Sequence, residues 1–209
     1  MRVLGVLLLS TGIAVADGEP TGEFDYYVMA LSWSPTWCAL EGDRRGSPQC
    51  ATEADFGWVL HGLWPQYEVG WPSYCPTNAR NPSRAETRAE ADLFGSSGSA
   101  WHQWNKHGRC SGLTAADYYA LAREAFSRVT RPDLLRKLED PIRVPASVIE
   151  QAFLEENPQL DADKITITCK SGRIQEARIC LTRDLEPRRC GADVIRDCRS
   201  IDALLDPIR

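Results

Sequence analysis

Hydrophobic and polar positions follow two different periods along the chain, and each period predicts an element. The segment 24–33 (FDYYVMALSW) alternates and is rich in aromatic and branched residues, which predicts a strand. The segment 56–64 (FGWVLHGLW) predicts a second strand that runs into a loop at Pro65. Farther on, 164–169 (KITITC) and 174–182 (IQEARICLT) flank the short turn KSGR, so the pattern predicts a β-hairpin.

Helical periodicity marks three other segments, namely 84–93, 114–129 and 146–156. The second of them begins with Thr114, and Asp117 follows three residues later, which is typical of a capped helix start. Prolines and a glycine interrupt residues 68–83, which therefore predict a loop. Helices combined with largely antiparallel strands predict a single α+β domain.

The first sixteen residues have the composition of a signal peptide. Arg2 gives a positive start, the run VLGVLLL is apolar but too short to span a bilayer, and Ala14-Val15-Ala16 has the small-x-small form of a cleavage site. We therefore predict a signal peptide at 1–16 and one catalytic domain at 17–209. The mature chain is expected to be secreted or periplasmic, with no membrane association.

Cysteine usage agrees with export. All eight cysteines lie after residue 16, and no C-x-x-C pair is present. An even number of cysteines in an exported chain predicts disulfides that staple the domain, whereas a zinc site is disfavoured. The sequence alone leaves the pairing open.

The charge balance limits the possible partners. The formal net charge is −5, and it becomes −6 without residues 1–16, whose only charged side chain is Arg2. An acidic protein exerts no long-range attraction on a polyanion, so a tight sequence-independent nucleic-acid binder is disfavoured. An enzyme that holds one phosphate with a few local groups remains compatible.

The three histidines of the chain lie in two segments that also contain tryptophan. His61 opens HGLWPQY, and His102 and His107 lie in WHQWNKHGRC at 101–110. On a helical projection of about 100° per residue, the polar groups of the second segment share one arc of about 140°. That arc contains His102, Gln103, Lys106 and His107, and the opposite side contains Trp101, Trp104, Asn105 and Gly108. The projection thus predicts one chemical face and one packing face.

Two other interpretations of these histidines are weaker. An isolated histidine among aromatic residues is usually structural, but here all three histidines share the same kind of segment. A metal site needs ligands on one face, and helical zinc pairs are four residues apart, whereas His102 and His107 are five apart. Lys106 would also place a positive charge against the ion. We therefore predict no metal and no other cofactor.

Two imidazoles, a lysine and an amide suit phosphoryl transfer. An in-line displacement needs a base for the nucleophile, an acid for the leaving oxygen and a cation at the non-bridging oxygens. Two imidazoles can hold opposite protonation states near neutral pH. If the nucleophile is the 2′-hydroxyl next to the phosphate, the substrate is RNA and DNA is inert.

Together, HGLWPQY and WHQWNKHGRC resemble the two active-site segments of the ribonuclease T2 family, which includes the plant S-ribonucleases. The resemblance covers essentially the whole mature chain. It implies an α+β fold and a metal-independent endoribonuclease, which we expect to be monomeric and to have low base specificity. Such an enzyme cleaves single-stranded RNA by attack of the 2′-hydroxyl, through a 2′,3′-cyclic phosphate.

Residue roles follow from the same resemblance. It implies that His61 is the general acid and His107 the general base. Lys106 would stabilise the phosphorane-like transition state, and His102 would help to hold the phosphate. It also implies the disulfide pairs Cys38–Cys50, Cys75–Cys110, Cys169–Cys198 and Cys180–Cys190.

The substrate-binding residues are expected in the first segment. Trp64 resembles the aromatic residue on which a base stacks, and Gln66 and Tyr67 would complete that site. The family often has Asp or Asn where this chain has Gln66, so the base preference does not carry over. Ordinary core packing is the alternative interpretation for Trp101 and Trp104.

A second departure concerns Gln103, because the family usually has glutamate at this position. Gln103 cannot supply a negative charge to the imidazoles, but its amide NH₂ can donate to a phosphate oxygen. We therefore expect Gln103 to assist catalysis without being indispensable. Two other functions stay open: a non-enzymatic relative that binds RNA or a protein, and a metal-dependent phosphodiesterase.

Overall fold

The computed structural model describes residues 19–209, so the predicted signal peptide lies outside the described residues. One sheet of six strands organises the domain. Its strands are β1 (Tyr26–Trp33), β2 (Trp58–Gln66), β3 (Ile142–Val144), β4 (Ile165–Lys170), β5 (Arg173–Leu181) and β6 (Ala203–Leu205). The strand order is β2-β1-β5-β6-β3, and β4 pairs with β5. Only the short pairing of β5 with β6 is parallel.

The predicted hairpin is confirmed as β4 and β5. Ser171 and Gly172 connect these strands, and both have positive φ values of 50° and 74°. Two consecutive residues in this conformation match the right-handed twist of an antiparallel pair. The first two predicted strands are also confirmed, although β2 continues through Pro65 to Gln66 rather than ending at the proline. Pro65 is tolerated because β2 is an edge strand, where a missing N–H breaks no ladder.

Within residues 19–209, six α-helices accompany the sheet: α1 (Ser34–Trp37), α2 (Arg84–Ala89), α3 (Ala91–Phe94), α4 (Ser97–Lys106), α5 (Ala115–Ser127) and α6 (Ala146–Glu156). The predicted helix at 146–156 is confirmed with the same bounds. Thr114 caps α5 by accepting a hydrogen bond from the N–H of Asp117. The predicted helix at 84–93 is wrong as one element, because Glu90 leaves the helical region and divides it into α2 and α3.

Strand β1 is buried along its whole length and separates two apolar clusters. Tyr27, Met29 and Leu31 pack into the main core, whereas Tyr26 and Val28 pack into a smaller cluster. This division follows from the alternation of side chains across a strand. The mixed α+β, largely antiparallel domain that the sequence predicted is thus confirmed.

Four disulfides join the chain, and they are the pairs that the resemblance implied: Cys38–Cys50, Cys75–Cys110, Cys169–Cys198 and Cys180–Cys190. The last two are nested around the β4–β5 hairpin. Within residues 19–209, the helices are all too short or too polar to cross a membrane.

Candidate active site

His61 occupies an irregular position in edge strand β2. Ala30 of β1 pairs with Gly62, and Leu31 pairs with Leu60, so His61 is the extra residue of a β-bulge. Its neighbours in the strand are buried, but the His61 side chain is 44% exposed. A bulge re-aims one side chain and is common beside functional sites. Here it turns the imidazole out of the sheet.

A buried ion pair holds the His61 ring from behind. His61 Nδ1 lies 2.6 Å from Oε1 of Glu176, a residue of β5 whose side chain is only 2% exposed. The other carboxylate oxygen accepts hydrogen bonds from Nε and Nη2 of Arg178, at 2.8 and 2.7 Å. Burial by itself raises the pKa of Glu176. The hydrogen bond with His61 and the charges of His61 and Arg178 outweigh burial and hold this pKa at about 2.

The second segment forms the end of α4. Ser96 caps the helix by accepting a hydrogen bond from the N–H of Ser99, and the helix ends at Lys106. The buried stripe of the segment consists of Ala100, Gln103, Trp104 and His107, which follow the i, i+3, i+4, i+7 period.

This stripe corrects the helical projection. Gln103 and His107 share the buried face with Trp104, whereas Trp101 is 45% exposed and does not pack in the core. The projection separated polar from aromatic residues, but the burial of a side chain here depends on where α4 meets β2. Core packing is therefore correct for Trp104, whose indole N–H donates to Asn81, and wrong for Trp101.

Two links fix the end of α4 to the loop that follows β2. The disulfide Cys75–Cys110 joins this loop to the turn after the helix. Next to it, the N–H of Tyr74 donates to the carbonyl of Lys106 at 2.8 Å. The links hold Lys106 and His107 close to the strand that carries His61.

Trp64 lies between the two histidines. Its ring stacks on His107 with centroids 5.2 Å apart, and it meets His61 edge-on at 5.1 Å. The Arg178 guanidinium lies 5.5 Å from the centroid of the same ring. Since His107 covers one side of the indole, the structure makes Trp64 a spacer between the imidazoles.

Gln103 anchors that spacer. Its side-chain carbonyl accepts a hydrogen bond from Nε1 of Trp64 at 2.9 Å, and the residue is 2% exposed. Gly62 permits this contact, because a Cβ there would meet Trp64 Nε1 at 2.1 Å and Gln103 Oε1 at 2.3 Å. With its oxygen engaged, Gln103 keeps its NH₂ as the donor that could reach a ligand.

His107 has different surroundings from His61. It is 6% exposed, and its Nδ1 is buried without a hydrogen-bond partner among residues 19–209. Burial, followed by the charges of Lys106, His61 and His102, lowers the pKa of His107 to about 3. The same causes, burial first and then Lys106 and His61, lower the pKa of His102. His107 is therefore neutral near neutral pH.

Two cavities meet at the histidines. The smaller, of about 230 Å³, is lined by Trp64, Lys106, His107 and Arg178 among others, and the larger, of about 630 Å³, extends towards Ser47 and Lys170. Both cavities are lined by the same three residues at their junction: His61, His102 and Gln103. A chain-like ligand could thus pass the imidazoles with one group in each cavity.

Of the remaining predicted site residues, one lines a cavity and one does not. Gln66 lines the smaller cavity, and its Oε1 is buried without a partner among the described residues. Tyr67 packs against the main core and lines neither cavity, so the structure does not bring it to the other site residues. Exposed Trp71 lines the smaller cavity instead and was not predicted.

Sequence reasoning also missed Glu176 and Arg178. Both lie in the segment IQEARICLT, which was interpreted only as half of a hairpin. A signal was present, because the two opposite charges are at i and i+2 and so lie on one face of the strand, between Ile174 and Cys180. Charges in such a strand need partners, since burying an unpaired charge is costly.

Comparison with known proteins agrees with this geometry. The model of the ribonuclease T2 family matches residues 24–190. A ribonuclease of Aeromonas hydrophila is 44% identical over 147 residues, which are 69% of this chain and 61% of that protein. A protein of Haemophilus influenzae named "Probable ribonuclease" is 33% identical over 123 residues, 52% of this chain and 44% of that one. The chain thus spans less than two thirds of the length of either relative.

The fold is shared with solved structures at lower identity. RNase NT, whose structure was solved in complex with 5′-AMP, superimposes with a TM-score of 0.61 at 18% identity, covering 90% of this chain and all of that one. The family match includes both histidine segments and most of the sheet that holds them. On these grounds the chain belongs to the ribonuclease T2 family.

Proposed function

We propose that this protein is an endoribonuclease that cleaves single-stranded RNA by attack of the 2′-hydroxyl on the adjacent phosphate. The observation that carries the proposal is the pair of imidazoles on either side of Trp64, one paired with a carboxylate and the other buried and neutral. Membership of the ribonuclease T2 family and the Aeromonas ribonuclease support the same activity.

His107 is the general base of the proposed reaction. Its low pKa keeps it neutral, and because Nδ1 is buried, Nε2 is the nitrogen that can take the proton from the 2′-hydroxyl. The freed oxygen then attacks phosphorus and forms the 2′,3′-cyclic phosphate.

His61 is the general acid. Glu176 accepts the hydrogen bond from Nδ1 of His61, and the Nε2 proton of His61 passes to the 5′-oxygen as the P–O5′ bond breaks. Two histidines in opposite protonation states thus serve the two ends of one displacement.

Cations and donors near the junction of the cavities stabilise the developing charge. Lys106 lines the smaller cavity and forms no ion pair within residues 19–209. His102 and the NH₂ of Gln103 flank the same junction and hold the phosphate. Because these side chains supply positive charge and hydrogen-bond donors to the phosphate, the proposed reaction needs no metal.

The two cavities bind the nucleosides on either side of the cleaved phosphate. Trp64 and Gln66 contribute to the smaller one, with Trp71 rather than Tyr67 as the second aromatic residue. We further propose that the enzyme is monomeric, has low base specificity and is exported, and the four disulfides support an oxidising compartment.

The proposal is tested with a short RNA, the same sequence as DNA, and an RNA with one 2′-deoxy position, each incubated with the protein in EDTA. We expect cleavage of the RNA to 2′,3′-cyclic phosphate ends, no cleavage of DNA, and no cleavage after the 2′-deoxy position. DNA cleavage at a comparable rate would refute the mechanism. Loss of RNA cleavage in EDTA, restored by a divalent metal, would favour a metal-dependent phosphodiesterase.

A further inference from the structure

Glu176 is the one carboxylate that contacts a histidine within residues 19–209. Its oxygens are shared between two partners, since Oε1 faces His61 and Oε2 faces Arg178. With a side chain 2% exposed, Glu176 is screened very little by water. It is therefore placed to influence His61 strongly.

The contact determines which nitrogen of His61 exchanges protons. A carboxylate with a pKa of about 2 is ionised at every pH at which the protein would work, and an ionised carboxylate only accepts hydrogen bonds. Nδ1 of His61 must therefore carry the hydrogen. This leaves Nε2 as the atom that gains and loses a proton at the cavity junction.

The two strands differ in how rigidly they hold these side chains. Glu176 lies in β5, where it pairs with Ser32 on one side and Thr168 on the other. His61 lies in the bulge of edge strand β2 and is the unpaired residue there. The ring of an exposed bulge residue needs a fixed partner, and β5 supplies it.

Resting on the ribonuclease activity proposed above, we propose that Glu176 is the positioning residue of the general acid: it fixes the tautomer and the orientation of His61. Gln103, the amide that lines both cavities, carries no charge and holds Trp64 instead. The charged and titratable groups that face His61 are Glu176 and Arg178 from β5, and His102, Lys106 and His107 from α4 and its end. The same two cavities are also lined by Glu41, Arg45, Lys170 and Asp193.

The test uses Glu176→Gln, which keeps the size of the side chain and removes its charge. Its first readout is the NMR titration of the imidazole signals, which is simple because the chain has three histidines and His61→Ala assigns one of them. We expect the His61 signals to respond to pH differently in the variant, because an amide replaces the carboxylate that accepts at Nδ1. This readout does not depend on catalysis.

The second readout is the pH dependence of kcat with an RNA dinucleotide. We expect kcat to fall by about 10–100-fold, the range for partners that orient metal-binding imidazoles. We expect little change in KM, and the high-pH limb should move. Glu176→Asp should also lower kcat. The shorter side chain keeps a negative charge for Arg178 but no longer reaches Nδ1 of His61.

Asp197→Asn is the matched control. Asp197 is also a carboxylate that holds the sheet, since its Oδ1 accepts from Thr166 Oγ1 and from the N–H of Ile167 in β4. This variant should lower the thermal stability and leave the His61 titration and the pH profile unchanged. If both Glu176 variants behave like it, the role of Glu176 is only structural and the inference is refuted.

The outcomes separate the inference from the proposed function. An inactive wild type whose His61 titration still moves in Glu176→Gln would refute the ribonuclease activity and keep the link between the two residues. An active wild type whose His61 titration and pH profile do not move would refute the link alone.

Discussion

His61 and His107 contact the same indole but lie in opposite surroundings. His61 lies in a bulge, is partly exposed and touches a buried carboxylate, whereas His107 ends a helix, is buried and has a lysine beside it. The carboxylate of Glu176 holds one ring through its Nδ1, and burial together with Lys106 favours the neutral form of the other ring. The difference shows that chemically identical side chains obtain an acid and a base role from their neighbours.

Removing either histidine should have the largest effect. We predict that His61→Ala and His107→Ala each lower kcat/KM by about 10²–10⁴, the usual range for a positioned acid or base. His107→Ala should lose the low-pH limb of the profile and His61→Ala the high-pH limb. The measurement is kcat/KM on a dinucleotide from about pH 2 to 8, a range that includes the low-pH limb expected from a His107 pKa of about 3. If the wild-type protein cleaved RNA no faster than these variants, the catalytic role would be refuted and the non-enzymatic function would be favoured.

The second-largest effect should come from removing the disulfide that joins the loop after β2 to the turn after α4. We predict that replacing Cys75 and Cys110 by serine lowers the free energy of unfolding by about 3–4 kcal/mol, because the unfolded chain gains loop entropy. The kcat/KM of the protein that remains folded should also fall, because Lys106 and His107 lose the disulfide link that holds them close to β2.

The control for this change is the pair Cys169 and Cys198, which closes a loop of 29 residues compared with 35. Replacing that pair by serine should destabilise the protein by a similar amount. If chemical denaturation and RNA cleavage changed in parallel for both pairs, the special role of Cys75–Cys110 in the site would be wrong.

The burial of His107 should also make the free energy of unfolding depend on pH. Its pKa is about 3 in the folded protein against an ordinary value of 6.5, so the unfolded chain binds the proton more readily. Stability is therefore lost as the pH falls below the unfolded value, by roughly 2 kcal/mol between about pH 6.5 and 5. We predict that His107→Gln reduces this loss in urea unfolding at the two pH values. An equal loss in both proteins would contradict the assignment of His107 as buried and neutral.

Gln103 should have the smallest effect. We predict that Gln103→Ala lowers kcat/KM about tenfold, or 1.4 kcal/mol, because Trp64 loses its hydrogen-bond acceptor. Gln103→Glu keeps an acceptor for Trp64 and adds a negative charge, so both limbs of the pH profile should move to higher pH. Unchanged limbs would show that this charge does not reach the histidines.

The sequence predicted the elements of the fold because their periods are local. The hairpin of β4 and β5 follows from two apolar runs around a serine and a glycine, and α6 follows from its period and the prolines beside it. The helical projection of 101–110 failed for Trp101 because burial depends on which face meets β2, and a single helix contains no information about its neighbour.

The site could be predicted only as far as its residues lie in recognisable segments. His61, His107, Lys106 and Gln103 were found in this way. The bulge at His61 depends on the register between β1 and β2, and Glu176 reaches His61 from more than one hundred residues away along the chain. Such a contact is set by the sheet order, which no local pattern contains.

The central claim is that the two imidazoles hold opposite protonation states, and NMR of the ¹⁵N-labelled histidine rings in the wild-type protein tests it most directly. Assignments come from His61→Ala and His107→Ala, and spectra are recorded from about pH 8 to 4. We predict that His107 gives the signal of a neutral ring down to about pH 4. Within the pH range of RNA cleavage, we predict that His61 gives the signal of an imidazolium, because a general acid must carry the proton it donates. A His107 signal that becomes cationic near pH 6, or a His61 signal that is neutral throughout the pH range of cleavage, would contradict the claim.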